Sequence, residues 1–393
     1  MRVPLLDLKR QHATVRADVL ARVEGLFESQ QFILGEAVEE FEKAFAESVG
    51  CGFAVGMSSG TDAQMAILMA LGIGPGDAVI TTPYTFFATA GCIHRLGAEP
   101  VFVDVETDTL HLDPARLRTY LESCRTDPDG VPITRNGNRL RAVIPIHLFG
   151  SCCRMDEVES IARQFRLAVT EDAAQAVGAT YRGAQGIVQA GAISESAWFS
   201  FFPTKNLGGA GDGGMAVCRD EGFAERLRLI RNHGMEKRYF HRQVGGNFRL
   251  DALQAVVIHA KLPHLGEWNA ARRRNAEFYC EAFLAAGLTE FVTPPPAPPS
   301  DLENGHIYHQ YVIRARDRDG LMEHLQREGI GCAIYYPVPL HLQECFSYLG
   351  YHAGDFPVAE KAALESLALP IFPELETIEL EAVVAAISGF YTR

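Results

Sequence analysis

The run Ser200-Phe201-Phe202-Pro203-Thr204-Lys205-Asn206-Leu207-Gly208-Gly209 decides how this chain is read. Lysine is among the side chains least often buried. Here one lies between an aromatic stretch (Trp198, Phe199, Phe201, Phe202) and a glycine run (Gly208, Gly209, Gly211, Gly213, Gly214). Such surroundings strip water from an ammonium and lower its pKa, because burial disfavours the charged form. A neutral amine is the form that Schiff-base chemistry needs. On this segment alone, a solvated loop lysine beside a flexible turn reads equally well.

Upstream, Leu167-Ala168-Val169-Thr170-Glu171-Asp172-Ala173-Ala174-Gln175 reads as a short apolar strand ending in two acids. In open parallel α/β sheets, ligands gather at the carboxyl ends of strands, which is where Asp172 falls. An enzyme using pyridoxal 5'-phosphate (PLP) needs a carboxylate against the pyridinium nitrogen, so that the ring stays protonated and acts as an electron sink. Asp172 suits that role, and Gln175 is spaced to reach the ring's phenolic oxygen. The competing reading of Asp172 is an ordinary helix N-cap. Further upstream, Ser58-Ser59-Gly60-Thr61-Asp62 precedes the apolar Met65-Ala66-Ile67-Leu68-Met69. Small and hydroxylated residues opening a helix leave backbone N–H groups and the positive end of the dipole for an anion. Ser59, Gly60 and Thr61 suit a phosphate, although plain N-capping has the same signature.

In this order, the segments resemble the DegT/DnrJ/EryC1/StrS family of PLP-dependent aminotransferases, most of which act on nucleotide-linked keto sugars. The resemblance runs from Pro4-Leu5-Leu6-Asp7-Leu8 through Thr85-Phe86-Phe87-Ala88-Thr89-Ala90 and Asn247-Phe248-Arg249-Leu250-Asp251 to Tyr336-Pro337-Val338-Pro339-Leu340-His341. It implies an α/β protein of fold type I, aspartate aminotransferase-like, working as an obligate homodimer with shared sites. By the same resemblance, Lys205 would hold PLP as a Schiff base and shuttle the proton. Asp172 would pair with the ring nitrogen, Gln175 with the phenolic oxygen, and Phe86 would stack on the ring. Gly60, Thr61 and Ser200 would bind the phosphate, with Asn247 reaching it from the partner subunit. Arg249, Tyr335 and Tyr336 would meet substrate. Many members have His-Tyr-Pro where this chain has Tyr335-Tyr336-Pro337, so that contact differs here.

The implied reaction is a ping-pong transfer from an amino acid, glutamate being the expected donor, to a nucleotide-linked keto sugar, in amino-sugar biosynthesis. Three alternatives stay open: a keto-cyclitol aminotransferase of antibiotic assembly, a PLP-dependent sugar dehydratase, and a non-catalytic regulatory protein on the same fold. Lys205 counts against the dehydratase, since some relatives with that activity carry histidine in its place. An intact Lys205, Asp172, Gln175 and phosphate helix count against the regulator.

The segment from Arg231 to Arg249 carries five basic residues (Arg231, Lys237, Arg238, Arg242, Arg249) in a chain of net charge −13. It reads as a solvated face or, through Arg238 and Arg249, as a contact for the diphosphate of a nucleotide sugar, since guanidinium geometry suits phosphate oxygens. The acidic balance argues against nucleic acid or an anionic membrane as partner. No apolar window reaches the eighteen or so residues of a membrane span, and the first residues lack a signal peptide's apolar core. The expected location is cytoplasmic. Nine cysteines without a C-x-x-C pair suit a reducing compartment, and the thirteen histidines show no metal spacing, so no metal is expected.

At 393 residues, with 47% apolar and 22% charged residues, the chain is long enough for two ordinary globular domains. Apolar runs at 78–81, 100–104, 142–146, 167–170 and 214–218 alternate with helical stretches, which predicts a mostly parallel sheet covered on both faces. A large domain over 14–255 is expected, with 1–13 and 256–393 forming a smaller α+β domain. There a helix near 251–285, interrupted at Pro263, precedes a stiff Pro-rich linker at 293–299. Strands at 308–313 and 331–335 are expected to flank a helix at 318–328. Residues 124–141 read as a surface excursion. Gly209-Ala210-Gly211-Asp212-Gly213-Gly214 matches G-x-G-x-x-G, but an apolar strand follows where a dinucleotide site needs a helix. A tight turn close to a ligand is the better reading.

Overall fold

The computed structural model describes residues 1–184 and 186–392. Its central sheet runs, in spatial order, Phe53–Met57, Gly214–Cys218, Ser196–Ser200, Ala168–Asp172, Arg139–Val143, Asp77–Thr81 and Glu99–Phe102. Gly214–Cys218 is antiparallel to both its neighbours, and the other pairings along this path are parallel. Strand alternation sorts the side chains into two layers. Val55, Met57, Trp198, Ala216 and Cys218 join a core with the helices Gly60–Ala70, Ala88–Arg95 and Glu221–Arg231. Ala54, Ala197, Phe199, Met215 and Val217 face the opposite core, built with Leu8–Ser29, Glu36–Val49 and Ala252–Lys261. A mostly parallel sheet buried on both faces follows.

Helix starts are set by local chemistry. Asp7 accepts hydrogen bonds from the Lys9 and Arg10 N–H groups at the head of Leu8–Ser29. Ser59 accepts from the Asp62 N–H at the head of Gly60–Ala70. Glu376 and Glu379 form a capping box on Thr377–Tyr391. Arg10 then ties the two ends of the chain together, with Nη1 and Nη2 at 2.7 and 2.8 Å from the Glu379 carboxylate.

The second body is a three-stranded antiparallel sheet, Val292–Thr293, Tyr311–Ala315 and Ser366–Leu369, packed with Leu265–Ala285, Arg318–Arg327 and Thr377–Tyr391. Val3 belongs to this core. The two-domain division expected from sequence stands as a proposal; the helices Leu8–Ser29 and Ala252–Lys261 run across its boundaries.

Several expectations need correction. Residues 331–335 are not a strand: only Ala333 bridges, to Ala368. The third strand is instead Ser366–Leu369, which follows directly on the alanine-rich helix Pro357–Glu365. Strands Phe53–Met57 and Ser196–Ser200 were not anticipated. The excursion at 124–141 is a small hairpin, Arg125–Thr126 with Pro132–Ile133, leading into Arg139–Val143. Helix Ala252–Lys261 passes through a 3-10 turn at Leu262–His264, where Pro263 falls, into Leu265–Ala285.

Candidate active site

A cavity of about 560 Å³ opens at the carboxyl ends of Ala168–Asp172 and Ser196–Ser200, and Lys205 lines it. The aromatic stretch before Lys205 works differently from the sequence reading. Phe199 and Phe201 point away from the cavity, into a cluster with Phe45 at ring separations of 5.0 and 5.3 Å. Each such fully buried ring contributes about 1.5–3 kcal/mol, so the chain entering the lysine loop is firmly anchored. Trp198 and Phe202 face the cavity instead. The loop's exit is held from helix Ala252–Lys261: Lys261 Nζ donates to the Gly208 carbonyl at 2.7 Å, and Gln254 Oε1 accepts from the Ala210 N–H at 2.7 Å. Lys205 is thereby fixed in a desolvating wall. Burial lowers its pKa to about 8, against the opposing pull of Asp172.

Asp172 is buried at the end of its strand. Its Oδ2 accepts from Thr89 Oγ1 at 2.9 Å and its Oδ1 from the Ala174 N–H at 3.2 Å. Burial raises its pKa, while these two donors and Lys205 lower it. No helix follows Asp172, so the N-cap reading does not apply. Gln175 Oε1 accepts from the Phe149 N–H at 2.7 Å and its Nε2 donates to Tyr336 Oη at 2.9 Å.

One end of the cavity is built by two close approaches. A Cβ on Gly214 would lie 2.3 Å from the Ser59 carbonyl carbon and 2.5 Å from the Gly60 nitrogen. A Cβ on Gly60 would lie 2.8 Å from Ser200 Cβ. Only glycine at both positions lets the helix start sit down on the sheet, which brings Ser59, Gly60, Thr61 and Ser200 to the cavity wall. Ser59 caps through the Asp62 N–H, so capping and site-lining hold together. Among the described residues, the Gly60 and Thr61 N–H groups have no partner. Opposite, Phe86 is 59% exposed, an aromatic face open to a ligand.

The chain therefore brings Lys205, Asp172, Gln175, Ser59, Gly60, Thr61, Phe86, Ser200, Tyr335 and Tyr336 to one cavity. Asn247, Arg249 and Arg238 do not line it. Asn247 is exposed, and Arg249 Nη1 donates to Asn232 Oδ1 at 2.7 Å. Arg238 stands on the exposed hairpin Met235–Lys237 and Phe240–His241, over the Tyr239 ring. Arg231 is not part of any substrate patch: it is buried on Glu42 and the Gly56 carbonyl. Sequence reading missed Thr89, Gln64, His309 and Gln310, which line the cavity, and Lys261 behind it. Thr89 belongs to a quoted motif; the others carried no local signal.

These residues fit PLP. There are free N–H groups for a phosphate, an open aromatic face, a carboxylate braced by two donors and a desolvated amine. With the sheet topology they define a class, the PLP-dependent aminotransferases of fold type I. Comparison with known proteins narrows it. The DegT/DnrJ/EryC1/StrS aminotransferase family model matches residues 13–388, and the chain belongs to that family. It is 42% identical, over 100% of its own length and 99% of the other's, to the pleiotropic regulatory protein of Geobacillus stearothermophilus. It is 38% identical, over 98% and 97%, to the UDP-N-acetyl-3-dehydro-alpha-D-glucosamine 3-aminotransferase of Acidithiobacillus ferrooxidans. Among solved structures, S. venezuelae DesV in complex with a ketimine intermediate superposes with a TM-score of 0.91 at 37% identity, covering 100% and 99% of the two chains. No helix among the described residues is long and apolar enough to cross a membrane.

Proposed function

We propose that this aminotransferase moves an amino group from an amino acid, with glutamate as donor, to a nucleotide-linked keto sugar, in two half-reactions of a ping-pong cycle. The observation that carries the reading is the desolvated Lys205 amine and the buried Asp172 carboxylate on one cavity, below a helix start with free N–H groups. PLP, when bound, supplies the electron sink for the donor's α-carbon and stores the amino group between the two halves.

The chain's own residues do the rest. Lys205 Nζ would anchor the cofactor, and as a free amine it would take the donor's α proton and later return one to the acceptor's carbon. A pKa of about 8 keeps both its amine and ammonium forms accessible near neutral pH, as a proton shuttle requires. Asp172, fixed by Thr89 and the Ala174 N–H, would pair its carboxyl group with the ring nitrogen. Gly60, Thr61 and Ser200 hold the phosphate at the positive end of helix Gly60–Ala70. Phe86 would cover the ring face, and Gln175, which holds the Tyr336 hydroxyl, would meet the phenolic edge. Tyr335 and Tyr336 form the acceptor side of the cavity.

A homodimer completes the site in this reading, with Asn247 serving the partner's cofactor phosphate and Arg249 and Arg238 its substrate. The exposed apolar side chains of the same region, Tyr239, Phe240 and Val244 at 76%, 67% and 86%, support a surface covered by a second copy. The acceptor class is supported by the Acidithiobacillus relative, whose name specifies a UDP-linked 3-dehydro sugar.

The test is borohydride reduction of the PLP-loaded protein followed by peptide mapping. The expected label is on Lys205, and recovery on another lysine would overturn the assignment. The pyridoxamine form made with glutamate is then offered a panel of nucleotide keto sugars and keto-cyclitols. Turnover confined to the cyclitols would overturn the sugar reading.

A further inference from the structure

His309 lines the cavity beside Gln310, and no motif singled it out. Its ring is fixed by a relay of two buried amides. Asn269 Nδ2 donates to the Val177 carbonyl at 3.2 Å, and Asn269 Oδ1 accepts from Asn206 Nδ2 at 2.7 Å. Asn206 Nδ2 also donates to the Ile307 carbonyl at 3.3 Å. A carbonyl oxygen only accepts, so Ile307 fixes which end of the Asn206 amide is nitrogen. The Asn206 oxygen is then the atom 3.1 Å from His309 Nδ1. Two acceptors do not bond, so Nδ1 must carry the hydrogen. In the neutral ring Nε2 is therefore an acceptor, and among the described residues it has no hydrogen-bond partner. Arg272 Nη1, on the carbonyls of Tyr308, His309 and Ile371, holds the backbone behind the ring.

The ring is also kept neutral. Burial pushes its pKa well below the ordinary histidine value, and the two nearby cations, Lys205 and Arg272, push the same way. An imidazole locked in one tautomer, uncharged, next to the reactive lysine has a defined use. We propose that His309 is a positioning residue whose Nε2 accepts a hydrogen bond from a primary amine in the cavity, either Lys205 Nζ or the amino group of the incoming donor. It holds that nitrogen in place without competing for its proton, because burial and the neighbouring cations Lys205 and Arg272 deny the ring its imidazolium form. Asn206, the residue next to the lysine in sequence, thus sets the tautomer of the ring that faces the lysine. This inference rests on Lys205 being the reactive amine. A borohydride label elsewhere would fell that reading and leave the tautomer measurement standing.

The test has two parts. Nitrogen-15 NMR of histidine-labelled full-length protein, with and without PLP, reads the tautomer directly. His309 should show a protonated Nδ1 and a bare Nε2 at neutral pH. A protonated Nε2, or an imidazolium, would overturn the proposal without any variant. The second part compares His309→Asn, whose amide overlays Nδ1 and keeps the relay, with His309→Gln, whose amide overlays Nε2 and keeps the cavity acceptor. If Lys205 is the donor of the bond, His309→Asn lowers the pKa for Lys205 modification in PLP-free protein by about one pH unit, since a charge-assisted bond is lost. If the substrate amine is the donor, that pKa stays and KM for the amino acid rises about tenfold with kcat little changed. His309→Gln should lie closer to wild type in either case. Loss in His309→Gln with a normal His309→Asn would mean that only the relay matters, and would overturn the proposal.

Discussion

The desolvation of Lys205 is measurable as stability. Its folded-state pKa is about 8 against 10.5 for a free lysine, a gap worth about 3 kcal/mol. The figure already includes the attraction of Asp172, which opposes the shift. Partial exposure to the open cavity screens some of it, so about 2–3 kcal/mol is expected. In PLP-free protein, Lys205→Met keeps the chain's volume and removes the buried charge, and should be more stable than wild type by that amount at neutral pH. The pH dependence has a definite sign. Because the folded pKa lies below the unfolded one, the unfolded chain holds the extra proton between about pH 8 and 10.5. Wild-type stability therefore rises with pH across that window, and the advantage of Lys205→Met shrinks to nothing at its upper end. Urea denaturation of both proteins at about pH 7 and about pH 10 reads the two differences. A variant that is less stable at neutral pH, or an advantage that does not change with pH, would refute the claim that the cavity wall desolvates this amine.

Other consequences follow from the same geometry. Asp172→Asn should fold and bind PLP but lose at least about 100-fold in rate, on the order of 3 kcal/mol of barrier; single-turnover kinetics with glutamate measures it, and a near-normal rate would reduce Asp172 to a structural residue. Gly214→Ala must push the Ser59–Gly60 link off the sheet, so PLP affinity should fall at least about tenfold, with about 1–3 kcal/mol of stability lost to overpacking; cofactor titration and denaturant melts check both. Refolding inactive Lys205→Ala chains together with an inactive Asn247/Arg249 double variant should restore activity, because one site of each hybrid dimer then has all its parts. No recovery in confirmed hybrids would place each whole site within one chain.

Much of the site was legible because its parts are contiguous. Lys205 sits in its own aromatic and glycine setting, Asp172 and Gln175 share one strand end, and Ser59 to Thr61 announce a helix start. What brackets these groups was not legible. Thr89 braces Asp172 across 83 residues, and Lys261 reaches Gly208 across 53. Strand Ser196–Ser200 was hidden in plain view: its aromatics read as surroundings for the lysine, whereas alternation sends Phe199 into the core and leaves Trp198 at the cavity. Ser366–Leu369 was lost because the alanine-rich run before it continues a helical pattern to the last residue. The expected strand at 331–335 failed for the opposite reason. Its apolar residues suit a strand, but its backbone makes only isolated contacts, the Gly331 N–H to the Val3 carbonyl and the Ala333 bridge to Ala368.

The residues that one chain leaves outside its own cavity follow a physical logic. The backbone at Arg249 bridges Met57, two residues before Ser59. The Ser58 N–H donates to the Phe248 carbonyl at 2.8 Å, and the Phe248 N–H to the Arg231 carbonyl at 3.0 Å. Arg231 is itself pinned to Glu42 and Gly56. The segment is thus fastened beside the start of helix Gly60–Ala70 at several points and cannot swing inward without breaking them. Asn247 nevertheless stays exposed, and Arg249 Nε is buried with no partner among the described residues. The segment is held rigidly at the rim of the cavity, with the Asn247 side chain exposed and exposed aromatics beside it. In the proposed homodimer a second copy docked on this rim would cover the exposed aromatics and bring Asn247 and Arg249 to the partner's site. Activity would then depend on protein concentration wherever the dimer dissociates.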